Sequence, residues 1–144
     1  MLDNMVITGN TQARNGGGIT TSGPLTVTNT RISNNVSSDS GGAVAAGSNA
    51  RLTFTNVVFD ANQSVYGGAL DVGNGSTLRM QNATVSNNVA TADGEIFMDS
   101  ARLLAMLGTA NTPIVRNIYT ISKHFLNICR VCLWREIRLW HLGR

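Results

Sequence analysis

The sequence predicts an all-β solenoid, a parallel β-helix of about four coils. Three observations predict it: a period of about 26 residues, a spacing of two between apolar residues inside each period, and turn residues that recur on the same beat. The asparagines Asn10, Asn35, Asn62 and Asn88 follow one another at 25, 27 and 26 residues. Asn4, Asn29, Asn56 and Asn82 keep the same steps, as do the apolar Ile7, Ile32, Phe59 and Val85. The glycine pairs Gly16-Gly17, Gly41-Gly42 and Gly67-Gly68 follow, with Asp93-Gly94 as a worn fourth copy. Repeats of this length bury their apolar faces only by stacking on one another.

Within a period, the first strand is carried by Leu25-Thr26-Val27-Thr28, Leu52-Thr53-Phe54-Thr55 and Leu78-Arg79-Met80-Gln81. Apolar and polar residues alternate there, which puts Leu25, Val27 and their copies on one face and excludes a helix. A second run centres on Ile7, Ile32, Phe59 or Val85, just before the Asn10 series. A third follows the glycine pair, as Ala43–Ala46, Ala69–Val72 and Glu95–Met98. The reading is therefore three strands of two to five residues per coil, joined by Asn, Gly and Ser turns. Coils stacked at the hydrogen-bonded spacing of about 4.8 Å give parallel sheets. Val27, Phe54, Met80, Ile32, Phe59, Val85, Val44, Leu70 and Ile96 are the expected core, because the short and long periods coincide at them.

The candidate site residues are structural. Asn10, Asn35, Asn62 and Asn88, and with them Asn29, Asn56 and Asn82, are expected to stack on their own copies and pass amide hydrogen bonds along the axis, as asparagine ladders do in other stacked parallel structures. Gly41, Gly42, Gly67 and Gly68 are expected to allow the positive φ of a sharp corner.

These residues resemble a known family. Gly41-Gly42-Ala43-Val44, Gly67-Gly68-Ala69-Leu70, Gly17-Gly18-Ile19 and Phe59-Asp60-Ala61-Asn62 look like the Gly-Gly-Ala-Ile and Phe-x-x-Asn marks of the chlamydial-type polymorphic outer-membrane protein repeat. The resemblance covers residues 1 to about 106 and brings no catalytic residues. It implies a right-handed coil, a location outside the cell or on the outer-membrane surface, and the role of passenger or stalk of a bacterial protein, often an adhesin. The implied partners are a host surface or polysaccharide and the remainder of a longer parent protein.

Charge divides the sequence at about residue 110. The repeat body, 1–110, holds five basic and seven acidic side chains, a net charge of −2, and gives no footprint for nucleic acid. In 111–144 six basic residues face Glu136 alone, and Tyr119, Phe125, Trp134 and Trp140 supply half of the aromatic residues. Apolar residues at Ile118, Ile121, Phe125, Ile128, Cys132, Leu139 and Leu142 fall at steps of three and four with only Arg135 interrupting, so the tail reads as an amphipathic helix over about 116–142. Three readings are open for it: a cap on the last coil, a basic membrane-surface helix, or a non-native extension, which the abrupt change of composition favours. Phe97, Leu104 and Met106 take positions that read as outward in earlier coils, which calls for a cover. No run of 18 apolar residues is present, so no spanning helix is expected. Met1 falls partway through a coil with no signal segment before it, and the start reads as incomplete.

Three chemistries compete with these structural readings. Cys129-x-x-Cys132, flanked by His124 and His141, matches half a zinc site or a redox pair, but lacks the four ligands and the strand-turn context each requires. No metal or cofactor is expected. Polysaccharide-cleaving β-helices need carboxylates gathered on one outer face. Here Asp60 aligns with Ser33 and Ser86, and Asp71 with Ala45 and Phe97, so an enzyme is not expected; Asp71 and Glu95 read as solvated, outward side chains on neighbouring coils. Thr26-x-Thr28 over Thr53-x-Thr55 resembles an ice-binding threonine ladder, but stops at Arg79-x-Gln81 after two ranks. Carbohydrate binding or cleavage by a pectin-lyase-like coil remains the alternative to a non-enzymatic stalk or adhesive passenger.

Overall fold

The computed structural model describes residues 1–12, 14–92 and 94–98, together with the backbone of three further strands, Arg102–Leu107, Asn117–Thr120 and Glu136–Leu139. Four coils run through the first three of these segments, from Leu2 to Met98. The opening coil holds β1 (Leu2–Asp3), β2 (Val6–Thr8), β3 (Thr11–Gln12) and β4 (Ile19–Thr21). The second holds β5 (Leu25–Thr28), β6 (Arg31–Ser33), β7 (Val36–Ser37) and β8 (Val44–Ala46). In the third, β9 (Arg51–Thr55), β10 (Val58–Asp60), β11 (Gln63–Ser64) and β12 (Leu70–Val72) repeat the pattern. The last comprises β13 (Thr77–Gln81), β14 (Thr84–Ser86), β15 (Val89–Ala90) and β16 (Ile96–Met98). Then come β17 (Arg102–Leu107), β18 (Asn117–Thr120) and β19 (Glu136–Leu139).

Strands of like position stack into four parallel sheets, in the orders β1-β5-β9-β13-β17, β14-β10-β6-β2, β15-β11-β7-β3 and β19-β18-β16-β12-β8-β4. A parallel coil that returns to its own sheet is right-handed, the hand that twisted strands favour. Each coil thus contains four strands where the periodicity predicts three. The extra one is the two-residue strand after the Asn10 series, too short to show alternation.

The register confirms the period residue by residue. Val27 pairs with Phe54 and Phe54 with Met80; Ile32 pairs with Phe59 and Phe59 with Val85; Val44 pairs with Leu70 and Leu70 with Ile96. All nine expected core residues are buried. The Phe54 and Phe59 rings meet edge to face, with centroids 5.0 Å apart, the arrangement their quadrupoles prefer. At the open end of the first coil, Leu2, Ile7 and Ile19 are only partly buried, and Met5 and Val6 are exposed.

The other end departs from expectation. The described tail residues are strand: Ile118 pairs with Ile96, and Ile137 with Ile118. Asn117–Thr120 and Glu136–Leu139 are therefore not part of a helix; the open edge of β16 offers backbone partners, and Ile118-Tyr119-Thr120 has the β-branched and aromatic character that suits a ladder. The rest of the helix expected over 116–142 lies outside the described residues. Met106 is corrected as well. A register shift between Leu78 and Arg79 sets Leu103 opposite Leu78 but Ala105 opposite Arg79, so Met106 pairs with buried Met80 rather than an outward residue. One extra residue in one strand of a pair is a bulge, and it inverts the faces that follow.

Candidate functional site

The polar groups of the described coils are organised into two asparagine ladders, and each is built by its place in the turn. Asn35 and Asn62 are fully buried, just after the second strand of their coils. Asn62 Oδ1 accepts from the Asn35 backbone N–H at 3.1 Å and from Asn35 Nδ2 at 3.0 Å, while Asn62 Nδ2 donates to Ile32 O at 3.0 Å and to Asn88 Oδ1 at 2.9 Å. The Asn62 N–H also donates to Asn88 Oδ1, at 2.9 Å. Asn35 repeats the arrangement, accepting from the N–H and Nδ2 of Asn10 and donating to Ile7 O and Asn62 Oδ1. Two donated and two accepted bonds exhaust the capacity of a primary amide. The amide-to-amide bonds of this ladder have a direction: Asn10 donates to Asn35, Asn35 to Asn62 and Asn62 to Asn88.

A directional ladder needs an acceptor at its far end, and Glu95 supplies one. It follows the worn glycine pair at the register held by Ala43 and Ala69, one residue before Ile96. Its side chain turns inward, only 7 % exposed, and Oε1 accepts the Asn88 N–H at 3.0 Å. Asn88 Nδ2 keeps its bond to Phe59 O, at 3.1 Å, and sends its other proton to Ser86 O, at 2.9 Å. The expectation of a solvated Glu95 beside Asp71 is thus overturned: Asp71 pairs with Ala45 and Phe97, one position further along. The signal available in the sequence was an acid at a register otherwise held by alanine.

The outer ladder consists of Asn29, Asn56 and Asn82, in left-handed backbone with φ of 48°, 54° and 49°; Asn4, of the same series, has φ of 53°. Asparagine tolerates that region because its short amide bonds locally. Donation runs the opposite way here: Asn82 Nδ2 to Asn56 Oδ1, Asn56 Nδ2 to Asn29 Oδ1 at 2.9 Å, and Asn29 Nδ2 to Asp3 Oδ1 at 3.0 Å. The Thr28 hydroxyl donates to the same Asp3 oxygen. These bonds, Thr28 first and Asn29 next, hold the Asp3 carboxyl below its ordinary range. Each ladder therefore ends on a carboxylate, at opposite ends of the stack.

Asp60 is the third carboxylate committed to the coils. It accepts from Asn87 Nδ2 at 2.9 Å and the Ser86 hydroxyl at 3.2 Å in the coil above, and pairs with Arg31 in the coil below at 2.5 Å. The Asn87 bond lowers its pKa most; partial burial opposes, and Ser86 and Arg31 add to the lowering.

The glycine pairs separate into two roles. Gly41 and Gly67 have φ of 62° and 59°, as expected of a corner. Gly42 and Gly68 do not. A Cβ on Gly42 would lie 2.1 Å from Gly68 O and 2.6 Å from Gln63 N, and one on Gly68 would lie 2.7 Å from the Val89 carbonyl carbon. The second glycine is thus required by the closeness of the next coil.

Among the described residues, no group of three His, Cys, Asp or Glu side chains is placed to hold a metal ion, and no helix is long and apolar enough to cross a membrane. Cys129, Cys132, His124, His141, Asp93 and Asp99 lie outside the described residues. The asparagine ladders, the glycine corners and the period of 26 residues belong to one architecture. No curated protein and no solved structure matches this sequence. Residues 2–118 match the family described as the right handed beta helix region, and the protein belongs to that family.

Proposed function

We propose that this protein is a non-enzymatic, rigid β-helix segment that serves as stalk or adhesive passenger of a secreted or surface-attached bacterial protein. The observation that carries the reading is the use of three of its carboxylates: Asp3 and Glu95 terminate ladders, and Asp60 ties three coils together. An acid or base for polysaccharide cleavage has to be presented to substrate in a group, whereas these carboxylates are spent along the axis. The resemblance to the polymorphic outer-membrane protein repeat supports placement on a cell surface and a longer parent protein.

The test is to present the protein with immobilised polysaccharides and host-cell surfaces, following both retention and the release of new reducing or unsaturated sugar ends. Retention without release supports an adhesive role, and a cooperative, rod-like fold with neither supports a stalk. Release of sugar ends that is lost on denaturing the protein would overturn the reading in favour of a carbohydrate-cleaving β-helix.

A further inference from the structure

Two Asn-Gly dipeptides occur in the sequence, Asn15-Gly16 and Asn74-Gly75, and the fold treats them in opposite ways. We propose that Asn74 is a site of spontaneous deamidation and isoaspartate formation in the folded protein, while Asn15 is protected by its coil. The chemistry is intramolecular. The Gly75 backbone nitrogen gives up its proton to water or hydroxide and attacks Cγ of Asn74, forming a C–N bond; the Cγ–Nδ2 bond breaks and ammonia leaves. The resulting five-membered succinimide takes up one water at either carbonyl and opens to aspartate or isoaspartate. Nothing is oxidised or reduced. The reaction needs a small residue after the asparagine, an unencumbered backbone N–H on that residue, and solvent.

Gly75 meets all three conditions. It sits at the third position of the turn closed by the Ser76 N–H on Gly73 O at 3.2 Å, with φ of 72°, the left-handed geometry that glycine supplies in such turns. Asn74 and Gly75 are both exposed, and the Gly75 N–H has no hydrogen-bond acceptor among the described residues. Gly16 is the contrast. It is buried under the second coil, and its N–H donates to Ser40 O at 2.8 Å. That nitrogen cannot attack without first breaking an inter-coil bond. The product has a structural consequence, because Asn74 O accepts the Asn49 N–H at 2.9 Å across two coils. Isoaspartate reroutes the backbone through the former side chain, so that carbonyl becomes part of a free carboxylate and the coil-to-coil bond is displaced.

The experiment is incubation of the whole folded protein at mildly alkaline pH, followed by protease digestion and mass spectrometry of the segments between Arg14 and Arg31 and between Arg51 and Arg79. The expected result is a gain of one mass unit located at Asn74, appearing as two new chromatographic species. Conversion at Asn15 is expected to be slower by about fivefold or more, the protection a single hydrogen bond gives. In denaturant the two rates should converge, and Asn74→Gln should abolish the reaction in its segment. Equal rates in the folded protein, or faster conversion at Asn15, would overturn the proposal.

Discussion

Asn62 engages more of its surroundings than any apolar residue of its size could. Leucine in its place leaves the Asn35 N–H and one Asn35 Nδ2 proton without an acceptor, takes from Ile32 O its amide donor, and leaves Asn88 Oδ1 with the Asn62 N–H alone. Stranding buried polar groups costs about 1 to 3 kcal/mol each, so Asn62→Leu is expected to lose about 3 to 6 kcal/mol in urea unfolding. Asn10 is exposed and donates only toward Asn35, and Asn10→Leu should lose about 1 kcal/mol; equal losses would remove the ladder argument. Ala61 presents the converse case. It is held at φ of 54° where the neighbouring coils have Asn34 and Asn87 at 54° and 56°. An alanine pays about 1 to 2 kcal/mol in that region, so Ala61→Asn is expected to stabilise by about 0.5 to 1 kcal/mol, read as a higher urea midpoint with unchanged slope. Asp60 gives a pH dependence. Its folded pKa lies below the unfolded value, so its contribution is complete above about pH 4 and is lost as pH falls through the folded value. The melting temperature should therefore fall more steeply toward acid in the native protein than in Asp60→Asn, and parallel curves would exclude this role.

At the level of strands and turns, the glycine pairs set how closely coils approach. A Cβ at Gly42 meets backbone on two sides, and backbone cannot rotate away. Gly42→Ala should therefore destabilise by about 3 kcal/mol or more, the upper range of overpacking. Gly23→Ala is the control, since nothing lies within 4 Å of the added carbon; it should be neutral or slightly stabilising. A similar loss at both positions would show that backbone flexibility, and not coil spacing, is the cause. The strands themselves were legible wherever alternation ran for three residues or more, as in Leu52–Thr55 and Leu78–Gln81. Val36–Ser37 and Gln63–Ser64 were not, because two residues carry no period. The bulge between β13 and β17 was equally hidden, since Leu103-Leu104 reads as a plain apolar pair until the register shows which residue is extra. Glu95 was visible as a residue and misread as a surface acid, because composition cannot say that a carboxylate completes an amide ladder.

For the molecule as a whole, the tail is the part that sequence pattern misjudged. The steps of three and four that suggest a helix around Ile118 and Ile121 coexist with a β-branched stretch, and the open edge of β16 selects strand at Asn117–Thr120. Removing residues 112–144 takes β18 and β19 from that edge. The expected outcome is a lower melting temperature, about 4 °C for each kcal/mol lost, and faster aggregation through the uncovered strand. An unchanged melting temperature with better solubility would instead mark an accidental extension. One more property follows from where the coils differ in length. The turn before the first sheet spans residues 22–24 in one coil, 47–50 in the next and 73–76 in the third, while the strands stay matched along the sheets. From β5 to β13 variation is thus confined to the corners, and growth of the rod there is quantised. A duplicated full period inserted between Asn35 and Asn62 leaves each amide facing another amide, whereas a single residue gained inside a strand turns its interior outward. A lineage of such proteins can change its reach in steps of about 4.8 Å without redesigning its interior.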